Sequence, residues 1–210
     1  MTLNTVTEQK IIAAATEVFL QRGKGGARMQ EIADKAGINK ALLHYYFRSK
    51  ERLYDEVFRR QISAFFDELF SAALEMENIA DFLHTFIHNY LDTVSAHPQV
   101  LRFVLWEIEE GGEKMVEILH QKLLERGLPA LPIPRLIQRA VNRGELRPVD
   151  PVHLMMSVIG MCLYPFIARP IVENLFPGVV VNSPEFLEKR KTEIFNLVWQ
   201  GIQPQPSPDD

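Results

Sequence analysis

The residues of this chain best equipped to do chemistry are gathered in one stretch, NKALLHYYFRSKE, from Asn39 to Glu51. Lys40 and Lys50 bring cations, while His44, Tyr45 and Tyr46 bring an imidazole and two phenols, all able to donate a hydrogen bond to an anionic oxygen such as a phosphate. Ala41 and Leu42 lie between them and offer small or apolar contact of the kind a thymine methyl accepts. Three consecutive aromatic rings cannot all turn inward from one short helix. Phe47 and one of the tyrosines can fill a core, and the remaining rings must meet something outside.

Other chemistries leave little trace. The chain has no G-x-S-x-G, no phosphate-cradling loop, no H-E-x-x-H and no glycine fingerprint after a strand, so neither an enzyme nor a cofactor is expected. His84 and His88 are four apart and share a helix face, but two ligands do not make a metal site, and none is expected. Cys162 is the single cysteine, which excludes an intrachain disulfide and points to a reducing cytoplasm. Within the apolar run LMMSVIGMCLYPFIA it reads as an inert small hydrophobe, with a redox sensor as the alternative. That run is shorter than the roughly 20 residues of a membrane span and contains Pro165, so a buried helix is expected and no membrane partner.

The elements that must position the aromatic stretch are helices. Thr5 and Glu8 form a possible capping box, after which Ile11, Ile12, Ala15, Val18 and Phe19 recur at helical spacing and stop before Gly23. A glycine loop, GKGGA, leads to a second short helix, RMQEIADKAG, with Met29, Ile32, Ala33 and Ala36 toward the core and Gly37 as a left-handed end. Asn39 caps a third helix, on which Leu43 and Phe47 share the core face. Ser49 caps a fourth that continues toward Phe70. Two short helices joined by a glycine-containing turn and resting on a third form a helix-turn-helix pattern.

Charge supports the same division. Residues 1–60 hold eleven Lys or Arg against seven Asp or Glu, so of the net −4 they carry +4 and the remaining 150 residues carry −8. A basic head on an acidic body concentrates positive potential where a polyanion can dock, although an ordinary solvated surface gives the same count.

The run IIAAATEVFLQRG…MQEIADKAGINKALLHYYFRSKERL resembles the DNA-binding head of the TetR family of transcriptional regulators over about the first 55 residues. The resemblance implies an all-α protein with a helix-turn-helix domain at 1–50 and a helical ligand-binding and dimerisation domain at 51–203, while the composition of QPQPSPDD points to a disordered tail at 204–210. It implies a cytoplasmic regulator, most often a repressor, that binds a palindromic double-stranded DNA operator as a homodimer and answers to a small hydrophobic effector. By position, Lys40, Ala41, Leu42 and His44 fall near base edges, Tyr45, Tyr46 and Lys50 at phosphates, and Arg28 and Met29 at the start of the second helix beside the backbone. Three departures stand out: Ala27 where a capping Thr is usual, Leu42 where a small polar residue is usual, and His44-Tyr45 in place of Tyr then His. A helical adaptor or ligand-binding protein that has lost DNA binding is the competing reading.

The body reads as amphipathic helices broken by proline, all thirteen prolines lying at Pro98 or beyond. Helices are expected over DFLHTFIHNYLDTVSAH, PQVLRFVLWEIEE, GEKMVEILHQKLLERG and Arg135 to Arg143. A long apolar helix is expected from Pro151 into Ile171 and Val172, and a last one from Ser183 or Pro184 to Gln200. The resemblance implies that the last two pair with their copies in a second subunit. Phe86, Tyr90, Phe103, Trp106, Met115, Met155, Met156, Met161 and Phe166 are candidates to line an apolar effector cavity, or to pack as plain core. Glu107, Glu109 and Glu110 beside Trp106 suit either a lipophilic cation or a solvated acidic face.

Overall fold

The structure is a computed structural model that describes residues 3–204, with side chains from Val6 onward. The Thr5 side chain of the expected capping box and the tail from 205 are therefore outside what is described. Among those described, eleven α-helices and one 3-10 turn make up the regular structure, and the fold is all-α. The chain forms two compact units, Met1–Ala64 with Arg102–Ile118, and Phe65–Leu101 with Leu119–Asp210.

The first unit contains α1 (Leu3–Gly26), α2 (Met29–Ala36), α3 (Lys40–Tyr46) and α4 (Lys50–Leu69) as far as Ala64. It also takes part of α6 (Pro98–Glu109) and of α7 (Glu113–Glu125). The apolar stripes meet in one core: Ile11, Ala15 and Phe19 from α1, Ile32 and Ala33 from α2, Leu43 from α3, and Leu53, Val57 and Phe58 from α4 are buried. Each of the larger side chains contributes about 1.5–3 kcal/mol by leaving water, and the alanines less. Gly23 adopts φ 68°, which breaks α1 where its stripe ends, and the glycine segment behind it makes a further helical turn instead of an open loop. Tyr54 packs edge-on against Phe19 at 5.1 Å, and burial, followed by the nearby Glu110, Glu107 and Asp55, pushes its phenol up to about 12. The ammonium groups of Lys24 and Lys114 lie 5.0 and 5.9 Å from its ring centroid.

In the acidic segment beside Trp106, Glu109 and Glu110 are exposed as a solvated face requires, and Glu107 has a role that neither expectation gave it. Glu107 is buried, and its Oε1 accepts the Lys114 N–H at 2.8 Å, satisfying an orphan donor at the start of α7. Glu110 is exposed and pairs with Lys24 at 3.3 Å. The face of Trp106 already has a cation, Arg102, whose guanidinium carbon lies 5.4 Å from the ring centroid.

In the second unit α5 (Ile79–Ala96) is the central helix, packed against α11 (Pro184–Ile202), α9 (Pro151–Ile167) and α8 (Ile133–Asn142). Asn78, Asp150 and Ser183 cap α5, α9 and α11 through side-chain oxygens, and proline at N1 of α9 and α11 removes a donor that a helix start does not need. The long apolar helix expected into Val172 breaks at Ala168. There α10 (Arg169–Leu175) departs at 72°, because Pro170 fits the first turn of a helix and not its interior. Within α9, Pro165 supplies no N–H to the Met161 carbonyl, and Arg190 of α11 donates to that oxygen at 2.8 Å. No single helix among the described residues is long and apolar enough to cross a membrane.

Candidate nucleic-acid interface

Helix α3 is short and sharply bounded. Asn39 accepts the Leu42 N–H at 2.8 Å, and the chain leaves the helix at Phe47, which is extended at φ −130°. Only Leu43 is fully buried, and this single anchor fixes which way the other side chains point. Lys40, Ala41, Leu42 and His44 are exposed, and Tyr45 is 76% exposed, an unusual state for a ring of its size. Tyr46 is half-buried and meets Tyr45 edge to face at 5.6 Å. Phe47, expected in the core, is half-buried, because the helix has ended before its side chain can follow Leu43 inward.

The ring of His44 is drawn toward the end of the helix, with Nδ1 3.4 Å from the Arg48 carbonyl oxygen. Ser49 accepts the Arg52 N–H at 3.2 Å and starts α4. Beside it, the Glu51 carboxyl is held below its usual range by its own backbone N–H and the Ser49 hydroxyl.

Arg28 is exposed at the N-cap of α2 and makes no side-chain cap bond there, while Met29 is half-buried. Ala27 is buried and has no hydroxyl with which to cap. Arg28 shares an open polar groove of about 580 Å³ with Arg22, Gly26, Gln30, Glu31 and Asp34. Arg22, which the sequence reading passed over, lies on this groove 3.4 Å from Glu31. Its signal was a cation just before the glycine segment, close in sequence to Arg28. Lys50 is turned toward the same region, its Nζ donating to the Gly25 and Ala27 carbonyls at 3.1 and 3.3 Å.

The candidate effector residues are divided. Phe103, Trp106 and Met115 belong to the first unit, and Phe86, Tyr90, Met155, Met161 and Phe166 to the second. Phe103 is fully buried against Tyr54, Phe58 and Trp106. Phe86 stacks on Phe82 at 5.7 Å, and Tyr90 meets Phe65 at 6.1 Å, with burial raising its phenol's pKa. Trp106, Met115, Met155, Met161 and Phe166 are half-buried, and Met156 is 64% exposed, which places it on the surface. His84 and His88 stack at 4.1 Å, yet no group of three or more His, Cys, Asp or Glu among the described residues is placed to hold a metal.

Two family models match this architecture: "bacterial regulatory proteins, tetR family" over residues 11–57, and "Tetracyclin repressor-like, C-terminal domain" over residues 80–198. The HTH-type transcriptional regulator RutR of Escherichia coli (strain K12) is 28% identical over 200 residues, covering 94% of this chain and 91% of RutR. The HTH-type transcriptional repressor SCO4008 of Streptomyces coelicolor is 31% identical over 106 residues, covering 50% of this chain and 52% of its own. The crystal structure of the transcriptional regulator SCO4942 from Streptomyces coelicolor superposes with a TM-score of 0.69 at 25% identity, over 95% of this chain and 99% of that one.

Proposed function

The chain belongs to the TetR family of bacterial regulatory proteins and is a DNA-binding transcription regulator, and on that premise we propose that it represses through α3 and is released by an apolar effector held in its C-terminal domain. Such regulators bind operator DNA as dimers. A twofold pair of heads reads a palindrome whose half-sites lie one duplex turn apart, about 34–36 Å.

The observation that carries the reading is the exposure of Tyr45. With Leu43 pinned inward, Lys40, Ala41, Leu42 and His44 are offered toward base edges, and Tyr45 and Tyr46 toward phosphate oxygens. Arg28 and the uncapped start of α2 add backbone contacts. Phosphate contacts of this kind fix register, while the first turns of α3 read sequence. Pairing through α9 and α11 is supported by the apolar side chains they leave exposed, Val152, Met156 and Tyr164 on one and Leu197 on the other.

The half-buried Met155, Met161 and Phe166 of the second unit support an effector that is largely apolar, because thioethers and flat rings repack around varied shapes. A regulator of this kind acts in the cytoplasm by occupying DNA, without catalysis. Footprinting on the duplex upstream of its own gene tests the reading. A protected palindrome bound by two chains supports it, and a protein that protects no discrete site contradicts it. Apolar compounds that raise the melting temperature and also release the duplex support the assigned switch, because a ligand specific to the folded state stabilises it.

A further inference from the structure

Lys50 holds the turn before α2, and this contact goes beyond the phosphate role its position suggests. The last carbonyls of a helical turn have no intrahelical partner. Here Ala27 donates its N–H back to the Gly23 carbonyl, which closes the turn after the kink and leaves the Gly25 and Ala27 carbonyls to be met by something else. Both accept from Lys50 Nζ, at 3.1 and 3.3 Å. A cation at that end also opposes the negative end of the turn's dipole.

The same segment is poor in other restraints. Gly23, Gly25 and Gly26 allow the backbone wide freedom, Ala27 has no side-chain oxygen, and the N-cap residue Arg28 makes no cap bond. Lys50 reaches back from the first position of α4 across 25 and 23 residues of sequence to pin the turn. Two of its three donors are used there.

We infer that Lys50 is a positioning residue for DNA recognition: it clips the Gly23–Ala27 turn to α4, and so places Arg28 and the uncapped first N–H groups of α2 against the phosphate backbone. The inference rests on the DNA-binding reading for its consequence but not for its mechanism, since the clip exists in the free protein.

The test separates the two. Hydrogen exchange is followed on the DNA-free protein for wild type, Lys50→Met and Lys50→Arg, and each is titrated against the upstream duplex at several salt concentrations. Loss of hydrogen bonds from a charged donor predicts exchange faster by roughly tenfold to a hundredfold over residues 23–31 in Lys50→Met, with α5 and α11 unchanged. DNA affinity falls alongside it, and Lys50→Arg, which retains a cation and donors, restores both. Unchanged exchange in Lys50→Met, with a salt slope shallower by about 0.9, makes Lys50 a phosphate ligand only and overturns the inference. Unchanged exchange with unchanged affinity overturns it too, as does a wild-type turn whose amides exchange without protection. If the wild type binds no duplex, the functional reading fails while the exchange data still decide whether the clip exists.

Discussion

The rings at the end of α3 and the rings along α5 are of similar types and end in opposite surroundings. Phe82, Phe86 and Tyr90 recur on one face of an 18-residue helix, and all three are buried, with rings in contact at 5.7 and 5.8 Å. His44, Tyr45 and Tyr46 are consecutive on a seven-residue helix with one buried side chain, so successive rings are thrown about 100° apart and cannot share a face. Spacing decides the outcome. Rings at i, i+4 and i+8 build a core, whereas rings at i, i+1 and i+2 leave some in solvent, where only an external partner gives them a use.

The largest expected effect exchanges the two readouts. Phe82→Ala lowers unfolding free energy by about 3–5 kcal/mol in a urea titration. Tyr45→Ala leaves stability within about 0.5 kcal/mol and removes most DNA affinity. A Tyr45→Ala protein as destabilised as Phe82→Ala would end the contrast. Tyr45→Phe sharpens it by deleting only the hydroxyl, and DNA affinity then falls roughly tenfold, the range for a hydrogen bond to a charged acceptor, with the melting temperature unchanged.

A smaller effect is expected from the α5–α11 contact. The His88 imidazole is held below its usual value by burial first, then by His84 and Lys191, with Glu188 and Asp92 opposing. The unfolded chain therefore takes up a proton before the folded one does. The stabilisation is complete above the unfolded value near 6.5 and is lost as pH falls from there through the lower folded value. The melting temperature is expected to drop by roughly 1–3 °C more between pH 7 and 6 than in His88→Asn, and equal slopes would remove His88 from the account. The smallest effect concerns Cys162, whose thiol burial pushes up to about 12. Native protein alkylated by iodoacetamide at pH 8 is expected to react only as fast as it unfolds, and rapid labelling would restore the sensor reading.

Local signals carried much of this fold. The Asn39 and Ser49 caps, the Gly37 end of α2 and the stripe on α1 all depend on partners a few residues away, and all were legible. The break at Ala168 was half legible, since Pro170 marks a helix start while the apolar run passes straight through it. Glu107 was not legible, because its capping of α7 depends on how the chain turns at Gly111 and Gly112, both at positive φ. Nor was the Lys50 contact, whose partners lie over twenty residues upstream. In the candidate interface, exposure of Lys40 and His44 followed from spacing, whereas spacing did not decide which tyrosine is the outer one, which is Tyr45. The half-burial of Phe47 depended on a helix end one residue earlier than its periodicity suggested.

The most direct test of the outward-facing α3 is a salt titration of the upstream duplex against wild type, Lys40→Ala and Tyr45→Ala. The account predicts a steep wild-type loss of affinity with salt, weaker binding by both variants at every salt concentration, and unaltered melting temperatures. Wild-type affinity and slope in both variants would contradict it.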